Sequence, residues 1–382
     1  MYAIKIGSNT LTDESGSLRD DILAGLVSQI AKLAKDGNKV LVVSSGAISC
    51  GLGLIPGKGR PSETVELQAA SAIGQGRLFH RYYKLFAEEG VTAAQVLLTS
   101  YDIEARSQYL NARNTLLKLL EWGIVPIINE NDTTSPDEIR YGDNDFLAAQ
   151  AAILVKADLL MLLTDTDGLY TSDPSMDASA RLVEEVTDWS MLDEIKAGDA
   201  GSSIGSGGMK SKIVASEMAT TANIEVVIAN GSRPGVITAV AAGEKVGTRF
   251  RPLESSMSSF KLWLKYGRPS SGAIVVDEGA ATALRKRGKS LLPAGIVRVE
   301  GRFAAGEAVD VFFRKNGRRL VGKGVTNFSS EELRRIKGMQ SRQVMKLLPH
   351  GEEEVIHRDY FVLADEEARE SGNGPETPGL NG

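Results

Sequence analysis

The chain has 382 residues, 42% of them hydrophobic and 24% charged, with one cysteine, three histidines and a formal net charge of −5. That length exceeds one compact core of ordinary size and predicts two domains. The single cysteine, Cys50, excludes an internal disulfide and a multi-cysteine metal site. No apolar run reaches the roughly 18 to 20 residues of a membrane-spanning helix, and Met1-Tyr2-Ala3-Ile4-Lys5-Ile6 reads as a strand rather than a secretory leader. A cytoplasmic protein with no membrane association is expected. Charge is unevenly placed: residues 272–350 carry 16 Lys/Arg against seven Asp/Glu, whereas residues 351–382 carry two against nine. A basic C-terminal module on an acidic body suits a nucleic-acid surface, or a solvated face opposite an acidic neighbour in an oligomer.

The first strand spans residues 3–6, followed by an amphipathic helix over 21–34 and a buried strand over 39–43. Further strands are predicted at 92–98, 124–128, 159–163 and 224–228, with helical patterns at 111–120, 144–155 and 210–221 between them. Strands separated by helices predict an α/β domain with an open, mainly parallel sheet, whose ligands collect at the carboxyl ends of the strands. Near residue 252 the pattern changes to a Ser-rich connector. Short β-like runs at 273–276, 296–299, 308–313 and 320–325 then predict a small β-rich domain with one or two helices. The tail after residue 363 is poor in apolar residues and is expected to be disordered.

The strand ends carry the chemistry. Lys5 closes the first strand beside Gly7-Ser8-Asn9-Thr10, where backbone amides can approach an anion with no Cβ between them. This is not the Walker A arrangement, whose lysine opens a helix, and a lone strand-end lysine is commonly just solvated. Ser44-Ser45-Gly46-Ala47 repeats the logic after the second strand, although such a turn also serves helix capping. Ile127-Ile128-Asn129-Glu130-Asn131-Asp132 ends a strand in four polar side chains, and Gly142-Asp143-Asn144-Asp145 precedes an apolar helix, with Asp143 also suited to capping it. Together these clusters fit a ligand bearing an ammonium and carboxylates: Asp132 would pair with the ammonium, and Asn144 and Ser45 would donate to carboxylate oxygens. A further strand ends in Thr164-Asp165-Thr166-Asp167-Gly168. Finally, Gly205-Ser206-Gly207-Gly208-Met209-Lys210-Ser211-Lys212 opens a helix. Its amides and helix N-terminus can form an anion site with Lys212 in reach, though a glycine-rich loop also serves as a plain connector.

In this order the clusters resemble the amino acid kinase family, and within it the branch that phosphorylates glutamate. The matching stretches are Ile4-Lys5-Ile6-Gly7-Ser8, Val43-Ser44-Ser45-Gly46-Ala47-Ile48, Asn111-Ala112-Arg113-Asn114-Thr115, Ile128-Asn129-Glu130-Asn131-Asp132, Gly142-Asp143-Asn144-Asp145, Leu163-Thr164-Asp165, Asp167-Gly168-Leu169-Tyr170 and Gly207-Gly208-Met209. Val276-Asp277-Glu278-Gly279-Ala280 and Ser290-Leu291-Leu292-Pro293-Ala294-Gly295-Ile296 resemble the PUA domain. The resemblance implies a three-layer α/β/α sandwich over residues 1–255, a linker over 256–271 and a PUA pseudo-barrel over 272–350, while the acidic tail over 364–382 departs from the family's shorter pattern.

The implied activity is ATP-dependent phosphorylation of the L-glutamate side chain to L-glutamyl 5-phosphate, the first step of proline biosynthesis. Mg²⁺ would be carried on the ATP phosphates, with no protein metal ligand assigned. The family pattern also implies feedback inhibition by proline, a homodimer or homotetramer, and a glutamyl phosphate reductase as recipient of the product. In catalytic roles it places Lys5 and Lys212 on opposite sides of the phosphoryl group, amides of Gly7 and Gly46 beside it, and Asp145 positioning the lysines. Ser45, Asp132, Asn144 and Asp143 would hold the amino acid. Lys5, Thr164, Asp165, Ser206, Gly207, Gly208, Met209, Lys210, Ser211 and Lys212 would bind ATP. Two alternatives stay open: a sibling kinase with another acceptor, and an RNA-binding protein working through the basic C-terminal module.

Overall fold

The computed structural model describes the chain except residues 14, 56–60, 100–101, 104–105, 135–143, 173, 175, 188, 193–206, 254–260, 262–263, 266–269, 315–317, 341–342, 345–346, 348–352 and 365–382. It divides into two units, Met1–Ser259 and Phe260–Gly382. In the first, β1 (Tyr2–Ile6), β2 (Val40–Ser44), β3 (Ala93–Leu98), β4 (Val125–Glu130), β5 (Leu159–Thr164), β6 (Glu185–Val186), β7 (Glu225–Asn230) and β8 (Thr248–Phe250) form one sheet in the order β3-β4-β2-β1-β5-β7-β8-β6. Every pairing in it is parallel except β7 with β8. Strands β2, β4 and β5 are buried along their whole length, as expected where helices cover both faces of a parallel sheet.

Successive side chains of a strand point to opposite faces. Ile4 and Ile6 join the core formed with α2 (Asp20–Lys35), α3 (Ala47–Leu52) and α4 (Thr64–Glu88), where Leu23, Leu26, Ile30, Tyr82 and Phe86 pack. Short helix α1 (Ser8–Leu11) lies between β1 and α2. Lys5 falls on the opposite face, against α6 (Asp145–Val155), which is itself covered by α5 (Arg106–Glu121) and α7 (Gly207–Thr221). Helix α6 is apolar almost all round and buried from Leu147 to Val155, the mark of a helix enclosed between layers. Helix α8 (Val236–Ala241) completes the α2 side. The three-layer architecture expected from the alternation of strands and helices is the one observed.

The helical patterns read from the sequence do not include α4. The first half of its inner face includes Ala70, Ser71 and Gly74, small residues that blur an amphipathic stripe. They have a packing reason: a Cβ on Gly74 would overlap the Ala47 carbonyl oxygen, and one on Gly51 would overlap the Ala70 carbonyl oxygen. Helices α3 and α4 therefore meet backbone to backbone.

The second unit has its own sheet and core. Strands β9 (Gly272–Val276), β10 (Ile296–Gly301), β11 (Ala308–Arg314), β12 (Arg318–Val325) and β13 (Phe361–Leu363) lie in the order β10-β9-β11-β12-β13. Two of its helices are firmly capped. Asp277 accepts from the Ala280 amide at the start of α9 (Glu278–Arg287), and Ser329 and Glu332 form a capping box on α10 (Ser330–Ile336). The sheet takes in Phe361–Leu363, beyond the 272–350 span expected from the sequence. The expected tail lies outside the described residues from 365 onward.

Gly74→Ala should destabilise the protein by about 2–3 kcal/mol, since neither backbone can yield without moving a helix. Gly76→Ala, one turn-step away with open space around its Cα, should stabilise it by about 0.5–1 kcal/mol. Thermal or urea unfolding of the two variants checks the contrast.

Candidate active site

The carboxyl ends of β4, β2, β1 and β5 are consecutive neighbours in the sheet. The four polar clusters, scattered over more than 160 residues of sequence, thus form one continuous rim. Lys5 pairs in register with Val43 on one side and Leu162 on the other, which puts it in the middle of that rim.

Lys5 is fully buried rather than solvated. Its Nζ lies 2.7 Å from Oδ1 of Asp145, and Lys212 Nζ lies 3.1 Å from Oδ2 of the same carboxylate. Asp145 is also completely buried, and Ser211 Oγ donates to its Oδ2 at 2.7 Å. Asp145 is held in place because it occupies the first turn of the enclosed helix α6, where the helix dipole favours a negative charge. Two ammonium groups are thus gathered around one carboxylate. In a site shielded from water such paired ammonium groups are strongly attractive to a phosphoryl group.

On the β5 side, Thr164 Oγ1 donates to Asp165 Oδ1 at 3.0 Å and Asn9 Nδ2 donates to its Oδ2 at 2.9 Å. Burial opposes ionisation of Asp165, but the hydrogen bonds from Asn9 and Thr164 and the field of Lys212 outweigh it and hold its pKa below the ordinary value. Gly207, Gly208, Met209, Lys210, Ser211 and Lys212 form the first turns of α7, so the expected glycine-rich helix opening is present. Ser206 and Asp143 lie outside the described residues.

On the β4 and β2 side, Ser45, Asn129, Asp132 and Asn144 are all buried. Asn144 Nδ2 donates to the Ser44 carbonyl at 2.7 Å and to Asn129 Oδ1 at 2.5 Å. Ser71 Oγ donates to Asp132 Oδ2 at 2.5 Å, and Gln68 Nε2 donates to the Asp132 carbonyl at 2.9 Å. Gln75 Oε1 accepts from Asn129 Nδ2 at 2.6 Å.

The structure changes two expected roles. The Gly7 amide is committed to the Leu163 carbonyl at 3.1 Å, so it is not a donor to a ligand in this arrangement. What Gly7 supplies is room, since a Cβ there would sit 3.2 Å from the Leu163 oxygen and 3.7 Å from Lys5 Nζ. Gly46 has φ of 96° at the mouth of α3, a conformation that favours glycine. For Asn144, both amide hydrogens are occupied, and donation to a ligand carboxylate is not open to it. Asn129 was present in the sequence only as part of a polar run, and Gln68, Ser71 and Gln75 carried no signal. Their spacing of three and four along one helix face could have suggested a shared task only once the helix itself was recognised.

The fold and this rim define a class. Residues 1–230 match the amino acid kinase family and residues 272–348 match the PUA domain, and the chain belongs to the amino acid kinase family. Among curated relatives, the glutamate 5-kinase of Thermoanaerobacter sp. (strain X514) is 45% identical over 365 residues, covering 95% of this chain and 97% of the relative. The glutamate 5-kinase of Synechococcus sp. (strain JA-3-3Ab) is 45% identical over 366 residues, covering 95% and 98%. That of Moorella thermoacetica is 43% identical, covering 94% and 95%.

Asp145→Asn should lower the unfolding free energy by about 3–5 kcal/mol, because it removes the carboxylate charge that both buried lysines pair with. Ser211→Ala, which removes one hydrogen bond to the same carboxylate, should cost about 1 kcal/mol. Urea unfolding curves for both variants measure the difference.

Proposed function

We propose that the protein transfers the γ-phosphoryl group of ATP to the side-chain carboxylate of L-glutamate, giving L-glutamyl 5-phosphate and ADP, the first step of proline biosynthesis. The observation that carries this reading is the buried Lys5–Asp145–Lys212 triad at the junction between an amide- and carboxylate-lined pocket and a glycine-rich helix opening. The acceptor identity is supported by glutamate 5-kinase relatives matched along nearly the whole chain.

A glutamate side chain has a pKa of about 4.3 and is already ionised near neutral pH. No general base is required, and catalysis reduces to alignment and charge stabilisation. Lys5 and Lys212 approach from different structural layers and are kept at a fixed spacing by Asp145. Both can follow charge as it spreads over the phosphoryl oxygens. Thr164, Asp165 and Ser206 through Lys212 would take the nucleotide. Ser45, Asp132, Asn144 and Asp143 would hold the amino acid.

Mg²⁺ would be held chiefly by ATP phosphate oxygens, where it neutralises charge. Proline shares the α-carboxylate and amino group of glutamate and would compete for the same pocket. A homo-oligomer, a cytoplasmic location and onward reduction by a glutamyl phosphate reductase complete the proposal. The PUA match gives the basic C-terminal unit an RNA ligand as a second, separate proposal.

A hydroxamate trap for the acyl phosphate, run with ATP and with glutamate, N-acetylglutamate or aspartate, together with ADP release measured with UMP, tests the acceptor. Signal with glutamate alone is expected, and a larger signal with any other acceptor would refute the assignment. In the same assay Lys5→Ala should lower kcat on the order of 100- to 1,000-fold with KM for ATP and glutamate within about threefold. Unchanged turnover would remove Lys5 from the phosphoryl site.

A further inference from the structure

Beside Lys5 lies a buried hydroxyl that the fold leaves unsatisfied. Thr10, in α1, is fully buried, and its Oγ1 has no hydrogen-bond partner among the described residues. Other buried helical hydroxyls in this unit are satisfied by the carbonyl four residues back. Ser216 Oγ donates to the Lys212 carbonyl at 2.7 Å, and Thr220 Oγ1 to that of Ser216 at 2.8 Å. Thr12, only two residues beyond Thr10, does the same with the Ser8 carbonyl at 3.0 Å. For Thr10 the corresponding carbonyl is that of Ile6, the last residue of β1, which accepts from the Ser45 amide at 3.1 Å. A buried donor without a partner is costly and uncommon in folded proteins.

Two glycines define the surroundings of that hydroxyl. A Cβ at Gly231, the residue after β7, would sit 2.7 Å from Thr10 Cγ2 and 3.3 Å from its Oγ1. The Thr10 side chain therefore packs directly on that backbone and, being β-branched, keeps a narrow choice of rotamer. A Cβ at Gly7 would lie 4.0 Å from Thr10 Oγ1 and 3.7 Å from Lys5 Nζ. The hydroxyl and the ammonium thus flank one small space that glycine keeps clear, within the span of a single phosphoryl group. That space is on the β5 and β7 side of Lys5, where the Gly231 amide donates to the Thr164 carbonyl at 2.8 Å.

We infer that Thr10 is a further phosphoryl-binding residue, whose Oγ1–H donates to an oxygen of the γ-phosphoryl group that Lys5 holds. This deepens the proposed ATP-dependent phosphorylation and rests on it. A hydroxyl is a neutral donor, so it adds a hydrogen bond to the anion without placing a third cation beside Lys5 and Lys212. The bond to a charged oxygen is stronger than one between neutral groups. The donor is fixed before the nucleotide arrives, so no reorganisation is needed to aim it. Its unmet hydrogen bond in the free protein is the stability given up for that preorganisation.

The test compares wild type, Thr10→Val (same shape, no hydroxyl) and Thr10→Ser (hydroxyl kept). Calorimetric titration in Mg²⁺ measures Kd for AMP-PNP, an ATP analogue with a γ-phosphoryl group, and for ADP, which lacks one. For Thr10→Val we expect AMP-PNP to bind about tenfold more weakly, the loss of one hydrogen bond to a charged group. Its Kd for ADP should stay within about twofold of wild type, and Thr10→Ser should hold both nucleotides within about threefold. Without nucleotide, the thermal midpoint of Thr10→Val should rise by about 2 °C or more, because an unsatisfied buried donor has been removed. Unchanged AMP-PNP binding, equal weakening of ADP and AMP-PNP, equal impairment of the two variants, or an unchanged or lower midpoint in Thr10→Val would each overturn the inference. The titrations contain no acceptor and judge Thr10 alone. Absence of glutamate turnover in wild type that still binds AMP-PNP would instead refute the proposed acceptor, and wild type that bound neither nucleotide would sink both readings.

Discussion

One buried carboxylate organises this enzyme. Asp145 binds Lys5 from the central strand and Lys212 from the first turns of α7. Burial of three charged groups is unfavourable unless they are mutually paired and hydrogen-bonded. Ser211 and the Gly208 carbonyl, which accepts from Lys212 at 3.3 Å, supply part of that compensation. The cluster gathers two ammonium groups around one carboxylate in a region from which water is largely excluded. Such an arrangement costs stability in the empty protein and becomes favourable when an anionic phosphoryl group arrives, which is where a kinase needs its charge.

The rest of the first unit serves that geometry. A helix enclosed on all sides, α6, has no freedom to withdraw Asp145. The sheet order puts Lys5 between the ends of β2 and β4 and the end of β5. Beside β4, α4 acts as a second wall whose small residues allow close approach to α3 and whose glutamines and serine hold Asn129 and Asp132. Rigid secondary structure, rather than the loops, carries most of the described polar contacts. This is the condition for holding two like-charged substrates in line.

The C-terminal unit is stabilised independently, with its own core and capped helices. Its surplus of basic residues is partly structural. Arg318 lies 3.1 Å from Glu300 and its guanidinium sits 3.8 Å over the Phe312 ring, Arg285 donates to the Leu320 carbonyl at 3.1 Å, and Arg334 to the Gly301 carbonyl at 2.5 Å. A charge count therefore overstates the cationic surface available to a partner. The cation–π and carbonyl contacts among these residues would be formed with or without a nucleic acid.

The sequence by itself determined the alternation of strands and helices, the change to a β-rich second unit, and the polar residues at each strand end, because these are local patterns of period and composition. It also singled out Lys5, Asp145 and Lys212 by their company in a recurring order. It did not show α4, whose small inner-face residues answer to another backbone and not to solvent. Nor did it determine that Lys5 is buried, that Gly7 spends its amide on Leu163, or that Asn144 has no hydrogen to offer a ligand. Those facts depend on which strand lies beside which, and on partners a hundred or more residues away. A hydrogen bond has a direction only when both partners are in place. Tertiary structure alone decided it here.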